Sequence, residues 1–313
     1  MTFLTLKDAL DYHGKKAQLL NKFENLVKEK DYQFIEPSYL EDYDFFTETH
    51  PMMPKNKMVK LIDSGGYIKL LRPDITTSII SEFIPKWKNN TLLKFYYHAA
   101  TFKQTPTGIK ENKQFGVELL GATSIDYDQE ILTLIQAMFN AVKCDFILEV
   151  GHANFIKILL NELHLEKELK ESLKVIINQK NNSELKRFVK KYLIDHPYQL
   201  LVERLFDLQG DISKILQLLQ NINLPKSLLN VVEELKTLSS VINNDTFSFD
   251  LSIMSRYEYY SGIIYKGYSK KSPKALLKGG RYNTSLMGYK QSLSAIGFSL
   301  NLDDLLKEVL EDE

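Results

Sequence analysis

The sequence predicts an α+β fold into which an all-helical subdomain is inserted, and three observations lead to this prediction. Apolar, aromatic-rich runs flank a loop within residues 95–121, which indicates two antiparallel strands. From about residue 154 to 240, apolar residues recur every three or four positions and glycine is nearly absent, as in a group of helices. Strand-like runs then return. A sheet that begins before a helical block and finishes after it indicates an insertion.

The part before the helical block alternates helix and strand signals. An apolar stripe over about residues 6–30 predicts a first helix, and a short strand near YQFIEP ends at Pro37. Gly65–Gly66 indicates a hairpin turn between MVKLI and YIKLL. Pro73 followed by Asp74 marks the start of another helix, after which the 95–121 hairpin begins.

The remaining signals set the expected domain boundaries. A helix over about residues 126–141 and the strand FILEVG end the first part of the core, which we place at 1–152. We expect the helical insertion at 153–243. The second part of the core, with several strand-like runs and a last helix from about Asp303, is expected at 244–313.

Composition argues against several classes of function. Lysine and arginine number 40, as do aspartate and glutamate, so no bulk charge attracts nucleic acid. No stretch approaches the roughly 18 apolar residues of a membrane span. The six histidines and Cys144 show no zinc-ligand spacing, and nucleotide-binding glycine motifs are absent. We therefore expect no metal, cofactor, nucleic-acid or membrane partner. The single cysteine, which we expect to be a small buried hydrophobe, and the absence of a secretory pattern predict a cytoplasmic protein.

Four short stretches, LLRPDIT, QFGVE, YEYYSG and GGRYN, carry polar side chains at strand ends or on one strand face. Their carboxylates, amide and phenols form an acceptor set suited to a ligand with an ammonium group and a ring that bears an N–H. The sequence thus predicts an amino-acid pocket. The residues concerned are Asp74, Thr76, Gln114, Glu118, Tyr259, Tyr260 and Tyr282.

Each of these residues also has an ordinary structural interpretation. Asp74 would serve as an N-terminal helix residue, and Gln114 with Glu118 would lie on the solvent-exposed face of an antiparallel strand. Paired tyrosines are commonly core or rim residues. Gly116, between Gln114 and Glu118, would leave room for a ligand to approach the backbone.

Six segments, taken in order, resemble the catalytic core of histidyl-tRNA synthetase. They are FIEPSYLEDYDFF, LLRPDIT, FYYHAATFK…ENKQFGVELLG, YYSGIIYKGY, GGRYN and AIGFSLNLDDLL. The resemblance covers about residues 35–150 and 245–310. It implies a class II fold, a mostly antiparallel sheet flanked by helices, with the helical block where that family carries an insertion. It also implies roles for the pocket residues: the α-ammonium would be held by Asp74, Thr76 and Gln114, and the imidazole by Glu118, Tyr260 and Tyr282.

Three positions depart from the pattern of an active synthetase. Lys103 follows Phe102 at the position where motif 2 carries an arginine that binds the ATP phosphate. A lysine lacks the planar guanidinium that donates two parallel hydrogen bonds to a phosphate. Asp304 stands where motif 3 ends in arginine, and an aspartate there would repel a nucleotide. Ser255 stands where the histidine-specific motif carries an arginine. Arg256, one position further on, would take the place of that arginine only after a local shift of the chain. We therefore expect no amino-acid activation.

A synthetase core without these arginines and without an anticodon-binding domain resembles the regulatory subunits of hetero-oligomeric ATP phosphoribosyltransferase. The resemblance implies a short-form catalytic partner, which makes the first product of histidine biosynthesis from ATP and phosphoribosyl pyrophosphate. It further implies that this chain activates the partner and supports feedback inhibition by histidine. Two alternatives stay open: a truncated histidine-activating enzyme, and a passive scaffold that binds no histidine.

The segment around Pro37 is a candidate homodimer surface, because it corresponds to class II motif 1. The alternative is that the aromatic residues of this segment simply pack in the hydrophobic core. They are Tyr39, Tyr43, Phe45 and Phe46.

Overall fold

The computed structural model describes residues 5–50, 53–88, 91–242, 245–255, 259–269, 273–287 and 291–310. The chain divides into two compact units, which we call the core unit (Met1–Asp145 with Ser269–Glu313) and the insertion unit (Phe146–Tyr268). Short 3-10 turns apart, the elements in chain order are α1 (Leu6–Lys28), β1 (Gln33–Phe34), β2 (Leu40–Asp42), α2 (Tyr43–Thr49), β3 (Val59–Ile62), β4 (Ile68–Leu71), α3 (Ile75–Phe83), β5 (Leu93–Thr105), β6 (Gly108–Leu120), α4 (Asp126–Ala141), β7 (Phe146–His152), α5 (Ala153–Glu162), α6 (Lys167–Asn178), α7 (Asn182–Tyr192), α8 (Gln199–Glu203), β8 (Gln209–Gly210), α9 (Ile212–Gln220), α10 (Lys226–Leu238), β9 (Phe247–Asp250), β10 (Tyr260–Ser269), β11 (Ala275–Asn283), β12 (Ser294–Asn301) and α11 (Leu302–Leu310).

The main sheet of the core unit follows the strand order β1-β5-β6-β12-β11. Only β1 and β5 are parallel in this run, and the other neighbours are antiparallel. The β5–β6 hairpin predicted within residues 95–121 is confirmed, with pairing from Leu93–Leu120 to Thr105–Gly108. A mostly antiparallel sheet with flanking helices is the α+β architecture that the sequence predicts.

The side chains of β6 separate the two faces of this sheet. Phe115, Val117 and Leu119 are fully buried on one face, and the Phe115 ring meets Phe23 of α1 edge-on at 5.4 Å between ring centroids. Full burial of such a side chain contributes about 1.5–3 kcal/mol. The alternate positions, including Glu118, lie on the opposite face, which we call the ligand face.

A small sheet with the order β2-β4-β3 stands beside α2 and α3 in the core unit. The predicted Gly65–Gly66 turn is confirmed: Gly66 has φ of +81°, which glycine adopts without strain, and Asp63 accepts the backbone N–H of Gly65. Behind this sheet Phe46 packs fully buried with Met58 and Leu70.

The insertion unit contains α5 to α10 and strands in the order β10-β7-β9-β8. The helices fall within the 153–243 region expected from the sequence. The unit itself is wider, because the strands on both sides of the helices belong to it. Among the described residues, no helix combines the length and apolar character that a membrane crossing requires.

Candidate functional site

The centre of the ligand face is Glu118 of β6. The neighbouring strand β12 places Gly297 opposite Glu118, and β11 places Gly280 opposite Gly297. A Cβ atom at position 297 would overlap the Glu118 carboxylate. Glycine at this position therefore makes room for a large polar side chain that lies across the sheet.

Two hydroxyl groups hold the Glu118 carboxylate. Thr76 donates to Oε1 over 2.6 Å, and Tyr282 donates to Oε2 over 2.8 Å. Glu118 is only 3% exposed. The pKa of Glu118 is raised to about 7, chiefly by burial; the hydrogen bonds from the two hydroxyl groups oppose this rise, and the negative charge of Asp74 adds to it. The structure thus brings three of the predicted pocket residues into one hydrogen-bonded group.

Asp74 caps the N-terminus of α3, which is the ordinary structural role considered for it. Its Oδ2 accepts the Thr77 backbone N–H over 2.7 Å and the Thr77 hydroxyl over 2.8 Å. Within the described part of the chain, Oδ1 accepts no hydrogen bond. One oxygen of Asp74 is therefore structural, and the other is available to a ligand.

The first turn of α3 connects several buried carboxylates. The hydroxyls of residues 76–78 donate in turn to Glu118, Asp74 and Glu41. Burial raises the pKa of Glu41, Asp74 raises it further, and the Ser78 hydrogen bond lowers it. Glu41 is a site-region residue that the sequence reasoning missed, and only the run of three hydroxyl residues signalled it. These neighbouring carboxylates favour a cationic ligand group.

Arg72 directs its hydrogen bonds to backbone carbonyls and not to these carboxylates, although its positive charge lowers the pKa of Glu41. It is 1% exposed and donates to Ala100 at 2.6 Å, to Ser38 at 3.0 Å and to Pro37. It also stacks on the Tyr39 ring, 4.4 Å from the ring centroid. Arg72 therefore ties the strand ends around the site together.

The expectation that Gly116 leaves space for a ligand is wrong. The backbone of Gly116 pairs with Tyr97 of β5, and a Cβ at position 116 would overlap the Tyr97 ring. Tyr97 is 1% exposed. The phenol ring thus fills the gap between Gln114 and Glu118. The sequence analysis did not single out Tyr97, since nothing local shows which glycine lies opposite it.

Gln114 lines an open cleft of about 510 Å³ whose described lining does not include Glu118. Lys103, exposed at the β5 end, lines the same cleft. Four lysines and no carboxylate occur in the described lining. Lys103 makes no ion pair with any described residue. The lining residues are Pro73, Thr101, Phe102, Lys103, Thr105, Lys110, Asn112, Gln114, Lys274, Ala275, Leu276, Lys278, Ser299 and Asn301.

Asp304, in the first turn of α11, is not itself among the described residues that line this cleft, although its partners Lys274 and Asn301 are. Its carboxylate pairs with Lys274 and lies 3.9 Å from the Nζ of Lys307, and its backbone N–H donates to Asn301 at 2.9 Å. Asp304 instead lines a neighbouring cleft of about 430 Å³. The negative charge that was expected to repel a nucleotide is therefore paired with lysine.

The other predicted residues belong to the insertion unit. Tyr259 and Tyr260 stand at the start of β10 with ring centroids 4.8 Å apart. Ser255 precedes them, and Arg256 lies outside the described residues. In the part of the chain that the structure describes, no group of three or more histidine, cysteine, aspartate or glutamate side chains is placed to hold a metal ion.

Comparison with known proteins gives consistent results. A family model described as histidyl-tRNA synthetase matches residues 7–305. A protein of Clostridium botulinum strain 657, named ATP phosphoribosyltransferase regulatory subunit, is 31% identical over 312 residues, which cover 96% of this chain and 74% of that protein.

Two solved structures share the fold. A Bacillus halodurans protein, described as an ATP phosphoribosyltransferase regulatory subunit/histidyl-tRNA synthetase, aligns with a TM-score of 0.83 at 21% identity, covering 99% of this chain and 82% of that one. A chain of the Thermotoga maritima ATP phosphoribosyl transferase (HisG:HisZ) complex aligns with a TM-score of 0.71 at 20% identity, covering 92% and 97%. The family model spans nearly the whole chain, and the match to the C. botulinum relative covers 96% of this chain. The chain therefore belongs to the histidyl-tRNA synthetase family and, within it, to the ATP phosphoribosyltransferase regulatory subunits.

Proposed function

We propose that this chain is the non-catalytic regulatory subunit of a hetero-oligomeric ATP phosphoribosyltransferase, in which it activates a short-form catalytic subunit and binds histidine as the feedback inhibitor. The observation that carries the proposal is the Glu118 group: a buried carboxylate, held by Thr76 and Tyr282, on the ligand face of a synthetase-like sheet.

Histidine matches the charge and hydrogen-bonding groups of this site. Its ammonium group would meet Oδ1 of Asp74, in a region where Glu41 and Glu118 add negative charge. An imidazole N–H would donate to the Glu118 carboxylate, which accepts more hydrogen bonds than the two it receives from protein hydroxyls. Hydrogen bonds to an ionised group are about twice as strong as neutral ones.

Binding without activation is the expected outcome. Lys103 supplies charge but not bidentate phosphate recognition, Asp304 pairs with Lys274, and Ser255 cannot support a developing charge as arginine does. Feedback would then arise because histidine binds the inhibited state of the complex more tightly than the active state.

The proposed partners are the catalytic subunit and a second copy of this chain. The relative in the T. maritima complex belongs to an ATP phosphoribosyl transferase assembly. In the candidate homodimer segment around Pro37, Tyr39 is 54% and Phe45 39% exposed, whereas Phe46 is buried. Part of that segment is thus core, and the exposed part is the surface that we propose for association with a second copy. We further propose a cytoplasmic location, without nucleic-acid or membrane partners.

The test is inhibition of the purified two-subunit complex by histidine. The chain should co-purify with and activate a short-form catalytic subunit. Glu118→Ala and Gln114→Ala should each raise the histidine concentration needed for half inhibition. Glu111→Ala is the matched control, because Glu111 is exposed on the same strand and its Lys113 contact is 4.0 Å long. Unchanged inhibition in both pocket variants would refute the pocket.

The two alternatives give different results. A truncated histidine-activating enzyme would catalyse histidine-dependent exchange between ATP and pyrophosphate, and we expect none. A passive scaffold would still activate or stabilise the catalytic subunit, but calorimetry would detect no histidine binding to the chain or the complex.

A further inference from the structure

His50, at the C-terminal end of α2, lies behind the candidate pocket. Its ring stacks on Phe46 with 4.5 Å between centroids and an interplanar angle of 11°. Its Nδ1 is 2.9 Å from the Thr49 hydroxyl, and its Nε2 is 3.0 Å from the Thr77 hydroxyl. The Thr77 hydroxyl is the same group that donates to Asp74.

The direction of each hydrogen bond follows from counting protons. The Thr77 hydroxyl has one proton, which it donates to Asp74, so the Nε2 of His50 must bring the proton for their shared contact. Burial lowers the pKa of His50, and the Asp74 charge partly offsets that effect, so the neutral ring is favoured near neutral pH. A neutral ring with a proton on Nε2 can accept at Nδ1 from the Thr49 hydroxyl, which also lies 3.0 Å from the Phe45 carbonyl and 3.2 Å from the Phe46 carbonyl. The chain whose direction is fixed runs His50→Thr77→Asp74.

We propose that His50 is a positioning residue for the ligand-binding carboxylate of Asp74; this inference rests on the proposed histidine pocket. The Nε2–H group of His50 fixes the Thr77 hydroxyl so that its proton points at Oδ2 of Asp74. Both donors from Thr77 then fall on one oxygen, and Oδ1 is held available for an ammonium group.

Without His50, the Thr77 hydroxyl has a competing acceptor. A threonine in the first turn of a helix can rotate and donate to a backbone carbonyl one turn earlier, here that of the N-cap residue Asp74. Oδ2 of Asp74 would then lose one of its two donors, and the carboxylate would rotate more freely. The ammonium group of a ligand would have to order it on binding.

Acid should weaken ligand binding through the same chain. When His50 is protonated, Nδ1 also donates, and the Thr49 hydroxyl turns to the Phe45 carbonyl, 3.0 Å away. The imidazolium charge beside Asp74 then competes with the ligand ammonium group. The charged group that acts on His50 is Asp74 of α3, and Asp74 in turn acts on Glu41 of β2 and Glu118 of β6.

Histidine binding to the full chain, alone and in complex with the catalytic subunit, tests the inference by calorimetry between pH 5 and 8. We expect His50→Phe, which keeps a ring on Phe46 but has no donor, to weaken binding about tenfold at pH 8, as for one lost hydrogen bond. His50→Gln restores a donor and should bind within about threefold of the wild type. The plot of histidine affinity against pH for this variant should also lack the change caused by protonation of His50, while the change caused by Glu118 remains.

Thr77→Val breaks the chain at its centre, and Thr77→Ser keeps the hydroxyl as the matched control. We expect the Val variant, but not the Ser variant, to lose affinity as His50→Phe does, and the double variant to be little worse than either single one. Wild-type affinity in His50→Phe and Thr77→Val, or fully additive losses, would overturn the inference while leaving the histidine pocket intact. Absence of binding by the wild type would instead reject the proposed function, and the inference with it.

Discussion

The phenol of Tyr282 donates a hydrogen bond of 2.8 Å to Glu118, although the two residues are 164 positions apart in the chain. The antiparallel strands β6, β12 and β11 produce this contact. Gly297, on the strand β12 that lies between them, leaves space for the Glu118 carboxylate to extend across the sheet towards Tyr282. A buried acid thus acquires a fixed partner before any ligand binds.

Replacement of Glu118 by glutamine should change how stability depends on pH. The folded-state pKa of Glu118 is raised from its ordinary value of 4.5 to about 7, so the folded state binds more protons than the unfolded state between these values. The contribution of Glu118 to the free energy of unfolding is therefore fully present below about pH 4.5. It is lost as the pH rises to about 7, and the loss is at most roughly 3 kcal/mol. Urea unfolding at pH 5 and pH 7.5 should show this loss in the wild type and a smaller loss in Glu118→Gln. An equal loss of unfolding free energy in the wild type and in Glu118→Gln would show that the pKa of Glu118 is not raised in the folded state.

Alanine at position 116 should destabilise the core unit, because its Cβ overlaps the Tyr97 ring. Overpacking of this kind typically costs about 1–3 kcal/mol. Thermal or denaturant unfolding measures the effect. Shortening the opposing side chain in Gly116→Ala/Tyr97→Leu should recover part of the loss relative to Tyr97→Leu alone. Purely additive effects would mean that the ring does not occupy this space.

Arg281 should prove structural despite its place in the GGRYN motif. Its Nε donates to both oxygens of the buried Asp128 at 3.0 and 3.1 Å, and its other nitrogens reach Ser124, Ser294 and the Ala122 carbonyl. Lysine cannot reproduce this forked pattern. We expect Arg281→Lys to lower the free energy of unfolding by about 1–3 kcal/mol, as for lost hydrogen bonds to a charged group, with little change in histidine affinity. A selective loss of affinity at unchanged stability would contradict this.

Local patterns predicted much of the core unit. The apolar stripe of α1, the Gly65–Gly66 turn, the β5–β6 hairpin and the start of α3 at Asp74 were all visible as spacing or turn chemistry. Such features depend on neighbours in sequence. The limits of the insertion unit were not visible, because whether a strand belongs with one group of elements or another depends on distant packing.

Pairing between distant segments explains what sequence reasoning missed in the site. The Thr76–Glu118–Tyr282 group needs a strand register that no local pattern encodes, and only the family resemblance joined these residues. Tyr97 was missed because its effect depends on the glycine opposite. His50 was missed because a lone histidine outside a motif gives no sign of its hydrogen-bond partners.

The most direct measurement is calorimetric titration of histidine into the purified chain at pH 8, where Glu118 is largely ionised. We predict one binding site in the wild type and at least tenfold weaker binding in Glu118→Gln, as for loss of a charged hydrogen-bond acceptor. Histidinol, which lacks the carboxylate, should bind within about threefold of histidine if, as we propose from the resemblance to histidyl-tRNA synthetase, Ser255 replaces the arginine that would bind the carboxylate. Equal affinity of the wild type and Glu118→Gln, or no heat of binding in either, would contradict a histidine pocket built on Glu118.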